Sequence, residues 1–287
     1  MSRPGLGLVK DSWSRLERVL VCPPDHFSFQ PINVITQAVL ARGETADLDR
    51  FRQEHRGLVE AYRSAGVVVE QAESVAGLPY MVYARDFGAC LEEGVLIGRF
   101  REPVRRGETA RYENKLREMG LPILGRISRG FLEGGDFWYL DETTIVWGVI
   151  ARSTLEGVEN AAEILAPLGY HVIPVRCPAE NLHLDMCFNI VAERVAVAAP
   201  AVLPDWFLQT LRKRRFEIVA VPRESVFKHH CNVQALGNGR VLSFEANRVV
   251  NRALQTLGLE VVTCHLEEIL KGGGGPHCLT FPLQRAE

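Results

Sequence analysis

A short motif, in which a polar or reactive residue opens an apolar run, recurs along this chain at nearly constant spacing. It reads Arg85-Asp86-Phe87-Gly88, Gly135-Asp136-Phe137-Trp138, Leu184-Asp185-Met186-Cys187, Cys231-Asn232-Val233-Gln234 and His277-Cys278-Leu279-Thr280. Successive spacings are 50, 49, 47 and 46 residues. A fixed period of this size marks a repeat architecture, in which each unit buries its apolar face against its neighbours. Between the motifs lie amphipathic helical patterns over 47–65, 107–119, 155–168, 204–214 and 246–257. Four of them stop at a glycine, Gly66, Gly120, Gly169 and Gly258, the left-handed position that closes a helix at least cost. The fourth helix ends instead in Arg212-Lys213-Arg214-Arg215, cations suited to the negative end of the dipole. Strand-like runs follow at 67–70, 121–124, 171–175, 216–221 and 260–264. Each unit reads strand–strand–helix–strand.

The fifth motif lies too near the C-terminus to complete its unit. Residues 18–22, 47–65 and 67–70 at the N-terminus supply the missing strand, helix and strand. The last unit is therefore expected to be shared by both chain ends, closing a ring of five α/β units and removing a free edge. The whole chain, 1–287, then reads as a single catalytic domain. In a ring the equivalent strand starts converge on the axis, so Asp86, Glu133, Asp136, His183, Asp185, Asn232 and Cys278 would face one cavity. An ordinary open sheet would leave the same acids as surface loops and gives no reason for the strict spacing.

That reading decides the meaning of the tail, Lys271-Gly272-Gly273-Gly274-Gly275-Pro276-His277-Cys278. Alone, four glycines before a cysteine fit a floppy linker ending in a buried thiol as well as backbone that passes close to a ligand. As the start of a docked strand, the tail presents Cys278 as a candidate nucleophile.

Composition narrows the function. The formal net charge is -2, so no global basic field points to nucleic acid or a membrane surface. No apolar run approaches the ~20 residues of a membrane helix. The first ten residues lack the apolar core of a leader. Seven cysteines, an odd number with no Cys-x-x-Cys, fit free thiols in a reducing cytoplasm. No phosphate loop or dinucleotide fingerprint occurs, and no cofactor is expected. His229-His230-Cys231 and His277-Cys278 lack zinc-type spacing, and neighbours on a strand face opposite sides. No functional metal is expected.

Arg85-Asp86, Glu133-Gly134-Gly135-Asp136, His183-Leu184-Asp185 and Gly273-Gly274-Gly275-Pro276-His277-Cys278 stand in the order found in the guanidine-modifying superfamily of arginine deiminases, dimethylarginine hydrolases and amidinotransferases. The chain resembles these proteins over nearly its whole length. Each motif alone is weak, but four in order on a five-unit repeat are specific. The resemblance implies a five-bladed α/β propeller and a small guanidine substrate. It leaves association into homo-oligomers open.

The residues suit that chemistry. Carboxylates can grip a planar guanidinium through paired N–H groups, and Asp86 and Asp185 are the candidates. Cys278 would attack the central carbon as thiolate. His183 would protonate the departing nitrogen and then activate water. Glu133 would orient or charge His183, and Asp136 would brace the Glu-Gly-Gly turn. His183 and Asp185, two apart on a strand, would share a face. The resemblance also implies that Arg105, the first of the Arg105-Arg106 pair, and Arg152 bind a substrate carboxylate. Where arginine-specific relatives carry an amide or acid to meet an α-amino group, this chain has Tyr80, a departure from the free-arginine pattern. Asp185 favours an unmethylated guanidinium, because a methylated nitrogen would leave that acid unpartnered. The expected activity is hydrolysis of arginine or an arginine derivative through a covalent thiouronium, giving a ureido product such as citrulline with ammonia or an amine. The alternative is transfer of the amidino group to an amine, because Asn181-Leu182-His183-Leu184-Asp185 also looks like the amidinotransferases.

Overall fold

The computed structural model describes residues 8–286; most of the stretch read for a leader, residues 1–7, lies outside them. The chain begins with β1 (Leu16–Val21), α1 (Val34–Ala41), α2 (Leu48–Ser64) and β2 (Val68–Gln71). Four further units follow. They are β3 (Gly88–Leu91), β4 (Gly94–Ile97), α3 (Glu108–Glu118) and β5 (Ile123–Arg126); β6 (Phe137–Tyr139), β7 (Thr144–Val149), α4 (Leu155–Leu165) and β8 (His171–Arg176); β9 (Phe188–Ala192), β10 (Val195–Ala198), α5 (Asp205–Lys213) and β11 (Glu217–Ala220); and β12 (Gln234–Gly237), β13 (Arg240–Phe244), α6 (Arg248–Thr256) and β14 (Glu260–Cys264). The last strand is β15 (Phe281–Arg285).

Each unit forms its own three-stranded sheet. Its first two strands make an antiparallel hairpin, and the strand after the helix pairs parallel to the middle one. A parallel partner needs a crossover, which the helix provides. The middle strands carry near-continuous apolar sequence, as in Gly94-Val95-Leu96-Ile97 and Val195-Ala196-Val197-Ala198. They are buried on both faces, and that composition is what double burial requires. The third strands lie half-buried. β15 pairs antiparallel with β1, with Leu16 opposite Arg285 and Leu20 opposite Phe281, and β1 pairs parallel with β2. The fifth sheet is thus assembled from the two ends of the chain, as the repeat predicts. Five equivalent α/β units give a pseudo-symmetric propeller.

The helix stops carry their expected conformation. Gly66, Gly120, Gly169 and Gly258 have φ of +82°, +71°, +91° and +83°. In the fourth unit the basic run replaces the glycine, and Arg215 itself takes φ +61°.

Two sequence expectations change. The first concerns α1, which no helical pattern anticipated. Its N-cap is Asn33, whose side chain accepts from the Thr36 amide. The second concerns the motif residues, which do not begin the strands. They occupy tight 3-10 turns before them: Ala84–Phe87, Gly134–Asp136 and Leu184–Met186. His277 and Cys278 likewise lie in a turn before β15. The phase difference leaves the repeat intact but replaces the reason for convergence. His183 precedes its turn in an extended conformation and Asp185 sits inside it, so a shared strand face is not what brings them together. Packing behind the turns fixes their positions. Phe87, next to Asp86, stacks on Tyr112 and Phe281 at centroid distances of 4.3 and 4.1 Å. The indole N–H of buried Trp147 donates to the Glu133 carbonyl at 3.3 Å.

Candidate active site

The turns bring the motif side chains into one buried cluster. Cys278, His183 and Asp185 are 3%, 1% and 0% exposed, so the cluster is sealed in this conformation. Cleft size does not mark it: a cleft of about 720 Å³ lies elsewhere, beside Asp141, Arg194 and Arg214.

His183 is held from one side. Its Nε2 lies 3.0 Å from Glu133 Oε2, and its Nδ1 lies 3.7 Å from Asp86 Oδ1. Burial opposes charge on the ring. Asp86, the Glu133 hydrogen bond and Asp136 outweigh it and lift the imidazole to about 9, so His183 is protonated at neutral pH. Burial likewise opposes ionisation of Glu133. Arg152, with Nη1 at 3.6 Å, and His183 overcome it and hold the carboxyl down to about 2. Glu133 Oε1 accepts from the Arg101 amide at 3.1 Å. A Cβ on Gly135 would stand 2.7 Å from His183 Nδ1; only glycine leaves the ring room there.

Asp136 turns away from the centre. It accepts from Ser153 Oγ at 2.6 Å and from the Leu184 amide at 2.8 Å. The second bond ties the Glu-Gly-Gly turn to the His183 turn. Burial raises the Asp136 carboxyl to about 7.

Cys278 faces Asp185. The thiol donates to Asp185 Oδ2 at 3.2 Å, and the same oxygen accepts from His277 Nδ1 at 2.8 Å. Burial and then the nearby Arg85 charge push the His277 imidazole down to about 4, so it is a neutral donor to an ionised carboxylate. It stacks on Trp138 at 4.4 Å. Burial, with the negative charges of Asp185 and Asp86, pushes the Cys278 thiol well above its ordinary value. Asn232 adds an amide donor to Sγ at 2.9 Å. A Cβ on Gly274 would stand 2.6 Å from Cys278 Cβ, so here the glycine run is a close approach of backbone to the thiol.

The two expected tail-binding arginines differ. Arg105 is fully engaged. It bonds Asp86 Oδ2 through Nη1, grips Glu108 through Nε and Nη2 at 3.1 and 2.9 Å, and donates to the Tyr80 and Tyr83 carbonyls at 3.3 and 3.1 Å. Arg152 donates through Nη2 to the Ile32 carbonyl at 2.8 Å, and its buried Nη1 has no hydrogen-bond partner. Tyr80 packs against the segment before α1, where its hydroxyl donates to the Gln30 carbonyl and accepts from the Gln30 amide.

Sequence reasoning placed Asn232 among the converging residues without giving it a role, weighed His277 only as a metal ligand, and passed over Glu108 and Ser153. For Asn232 the signal was available in its equivalence to Asp86, Asp136 and Asp185 in the repeat. Glu108 and Ser153 carried no motif. Asp86, Glu133 and His183 also bring three ligating atoms within 4.8 Å of one another, a grouping the sequence did not suggest. The guanidinium groups of Arg105 and Arg152 already stand against its two carboxylates, so a cation there would meet positive charge. Of the histidines weighed as metal ligands, His229 points Nε2 at the Leu270 carbonyl at 2.9 Å and His277 serves Asp185. Among the described residues no helix is long and apolar enough to cross a membrane.

A family model described as N,N dimethylarginine dimethylhydrolase, eukaryotic, matches residues 23–285. The uncharacterized protein YkgA of Bacillus subtilis is 29% identical over 279 residues, covering 97% of this chain and 95% of its own. An arginine deiminase of Listeria welshimeri is 28% identical over 253 residues, 72% of this chain; the chain spans 62% of the deiminase. The N-terminal domain of ArgZ, a cyanobacterial arginine dihydrolase, superimposes with a TM-score of 0.82 at 24% identity, covering 92% of this chain and 96% of that domain. A dimethylarginine dimethylaminohydrolase superimposes with a TM-score of 0.76 at 20% identity, covering 93% and 99%. At these identities the structural likeness establishes the fold.

Proposed function

The chain belongs to the N,N dimethylarginine dimethylhydrolase family, and on that premise we propose that it is a cysteine-dependent hydrolase of a guanidinium group in arginine or an arginine derivative. One observation carries the reading. Four buried polar atoms in the cluster make no hydrogen bond: Asp86 Oδ1, Asp185 Oδ1, His183 Nδ1 and Arg152 Nη1. Buried polar atoms are rarely left so. Two bare carboxylate oxygens beside a thiol match the N–H groups of a guanidinium. A protonated imidazole nitrogen matches its departing nitrogen, and Arg152 Nη1, near Glu133 but without a hydrogen bond, matches an anionic tail. Arg105, already committed to Asp86 and Glu108, aims the Asp86 carboxylate and leaves the tail to Arg152.

In this mechanism the bound cation offsets the negative charge around Cys278, and as it binds the thiol releases its proton to solvent and becomes the thiolate. Sγ attacks the guanidinium carbon and forms the C–S bond. His183 Nδ1–H protonates one nitrogen, which leaves as ammonia when it is unmethylated. The neutral imidazole then takes a proton from water as its oxygen attacks the thiouronium carbon. The C–S bond breaks, the thiolate returns and a ureido product departs with release of a proton. Glu133 keeps His183 charged for the first step. Asp185 supports an unmethylated nitrogen as the one expelled, because its free oxygen needs an N–H donor.

The test is turnover of arginine, agmatine and methylarginines with ammonia and amine detection, together with mass spectrometry of the trapped enzyme. The expected result is an adduct on Cys278 with an unmethylated guanidine and loss of turnover in Cys278→Ser. Turnover that appears only when an acceptor amine is added would make the protein an amidinotransferase. A folded protein that turns over no guanidine would end the reading.

A further inference from the structure

We propose that Asn232 is the residue that positions Cys278 Sγ and stabilises it as a thiolate, an inference that rests on the reading of Cys278 as nucleophile. Asn232 is fully buried and lies 46 residues before Cys278, at the equivalent repeat position of the preceding unit, where its amide closes a turn onto the His229 carbonyl at 2.8 Å. Its two amide atoms do different work. Oδ1 accepts from the Gly275 amide at 3.0 Å and the Cys278 amide at 3.2 Å. Both of those groups are obligate donors, so the amide can face them only with its oxygen. Nδ2 is thereby turned onto Sγ, at 2.9 Å.

This donor matters because it is the one that survives ionisation. In the resting state the thiol has two partners, donating to Asp185 Oδ2 and accepting from Asn232 Nδ2. Once the proton leaves, Asp185 stands 3.2 Å away as a like charge, while the Asn232 bond becomes charge-assisted and strengthens. A hydrogen bond to the charged form lowers a group's pKa. No lysine, arginine or charged histidine lies within hydrogen-bonding distance of Sγ among the described residues. Asn232 therefore supplies the thiolate with a fixed protein donor, and the same side chain pins the glycine run that carries the cysteine.

Alkylation of Cys278 by iodoacetamide, followed peptide by peptide across pH in the intact protein, tests this without a substrate. Asn232→Ala removes the donor and the anchor. Its alkylation midpoint is expected to rise by about one pH unit or more, a tenfold loss of thiolate at fixed pH. Asn232→Asp keeps an oxygen for the two backbone amides but removes the donor and adds charge, so its midpoint should rise further. The other six cysteines should be unaffected, and turnover should fall in parallel with KM little changed. If Asn232→Ala does not fold, Asn232→Asp carries the test alone. Folded variants whose Cys278 midpoint stays at the wild-type value would overturn the proposal and leave Asn232 a loop anchor. Failure of the underlying reading would look different: Cys278→Ser would keep its turnover whatever Asn232 does.

Discussion

At the scale of single residues, the cluster gives His183 a charge that its surroundings must sustain. Its folded pKa of about 9 lies above the ordinary 6.5. Its ionic contacts therefore stabilise the fold fully below about pH 6.5 and are lost as pH rises through about 9. Glu133 has the opposite sign. Held at about 2 against an ordinary 4.5, it stabilises the fold above about 4.5 and loses that contribution as pH falls through about 2. The pair is most effective between about 4.5 and 6.5. Glu133→Gln should lower the His183 pKa by about one unit or more, read from its imidazole proton shifts across a titration. A His183 pKa that stays near 9 would mean that Asp86 and Asp136 charge the ring without Glu133. A second residue-scale prediction concerns Arg215, which holds φ +61° where four equivalent positions hold glycine. A left-handed conformation costs a side-chain-bearing residue about 1–2 kcal/mol, and glycine gives back roughly half of that as chain entropy. Arg215→Gly should stabilise the protein by about 0.5–1 kcal/mol in a denaturant midpoint, with turnover unchanged.

At the scale of elements, the turn that carries Cys278 depends on a helix on the other side of the sequence. Glu54, 4% exposed on α2, accepts from the amides of Glu267, Glu268 and Ile269 at 3.0, 2.9 and 2.9 Å. These amides open the 3-10 turn Ile269–Gly272, which runs directly into the glycines before Cys278. Tyr83 donates to the Ile269 carbonyl at 3.0 Å and fixes the same turn from the Asp86 side. Glu54→Ala would strand three backbone donors at once, those of Glu268 and Ile269 buried. We expect a loss of about 2–4 kcal/mol in unfolding free energy and a fall in kcat larger than any change in KM, because the thiol loses its position; an unchanged kcat would show that the turn holds itself. This anchor illustrates what the sequence could carry. The five crossover helices were legible because amphipathic periods and glycine stops are local. The contact of Glu54 with residues 213–215 positions away has no local trace. The 3-10 turns were misread as strand starts because three or four residues show no periodicity. α1 went unseen because Val34-Ile35-Thr36 opens it with β-branched residues, which are weak helix formers. The convergence of Asp86 with His183 and of Asp185 with Cys278 was legible from motif and spacing together. The engagement of Arg105 by Glu108 was not, since a charged pair three residues apart usually reads as a helix surface.

At the scale of the whole molecule, the two chain ends meet in one sheet, and that has a topological consequence. β1 lies between β15 and β2, so the C-terminal strand supplies the hairpin partner that every other unit finds in its own sequence. Removing residues 281–287 should leave the edge of β1 unpaired and uncover buried Phe281 and Leu283, which pack with Phe87 and the second unit. We expect that truncation to abolish cooperative unfolding and Cys278 reactivity together. Joining the ends should do the reverse, because covalent order matters less than the pairing. The tip of the β9–β10 hairpin, Glu193-Arg194, is exposed, and exposed tips tolerate new termini. A permutant that begins at Arg194, ends at Glu193 and links the old termini through residues 1–7 should fold with β15, β1 and β2 intact. Its thermal transition should remain cooperative, and its turnover should stay within a few-fold of the natural order. A permutant that folds but is inactive would show that free ends let the sealed cluster open to substrate. A permutant that cannot fold would show that the order of synthesis, and not the five-sheet pairing alone, selects this architecture.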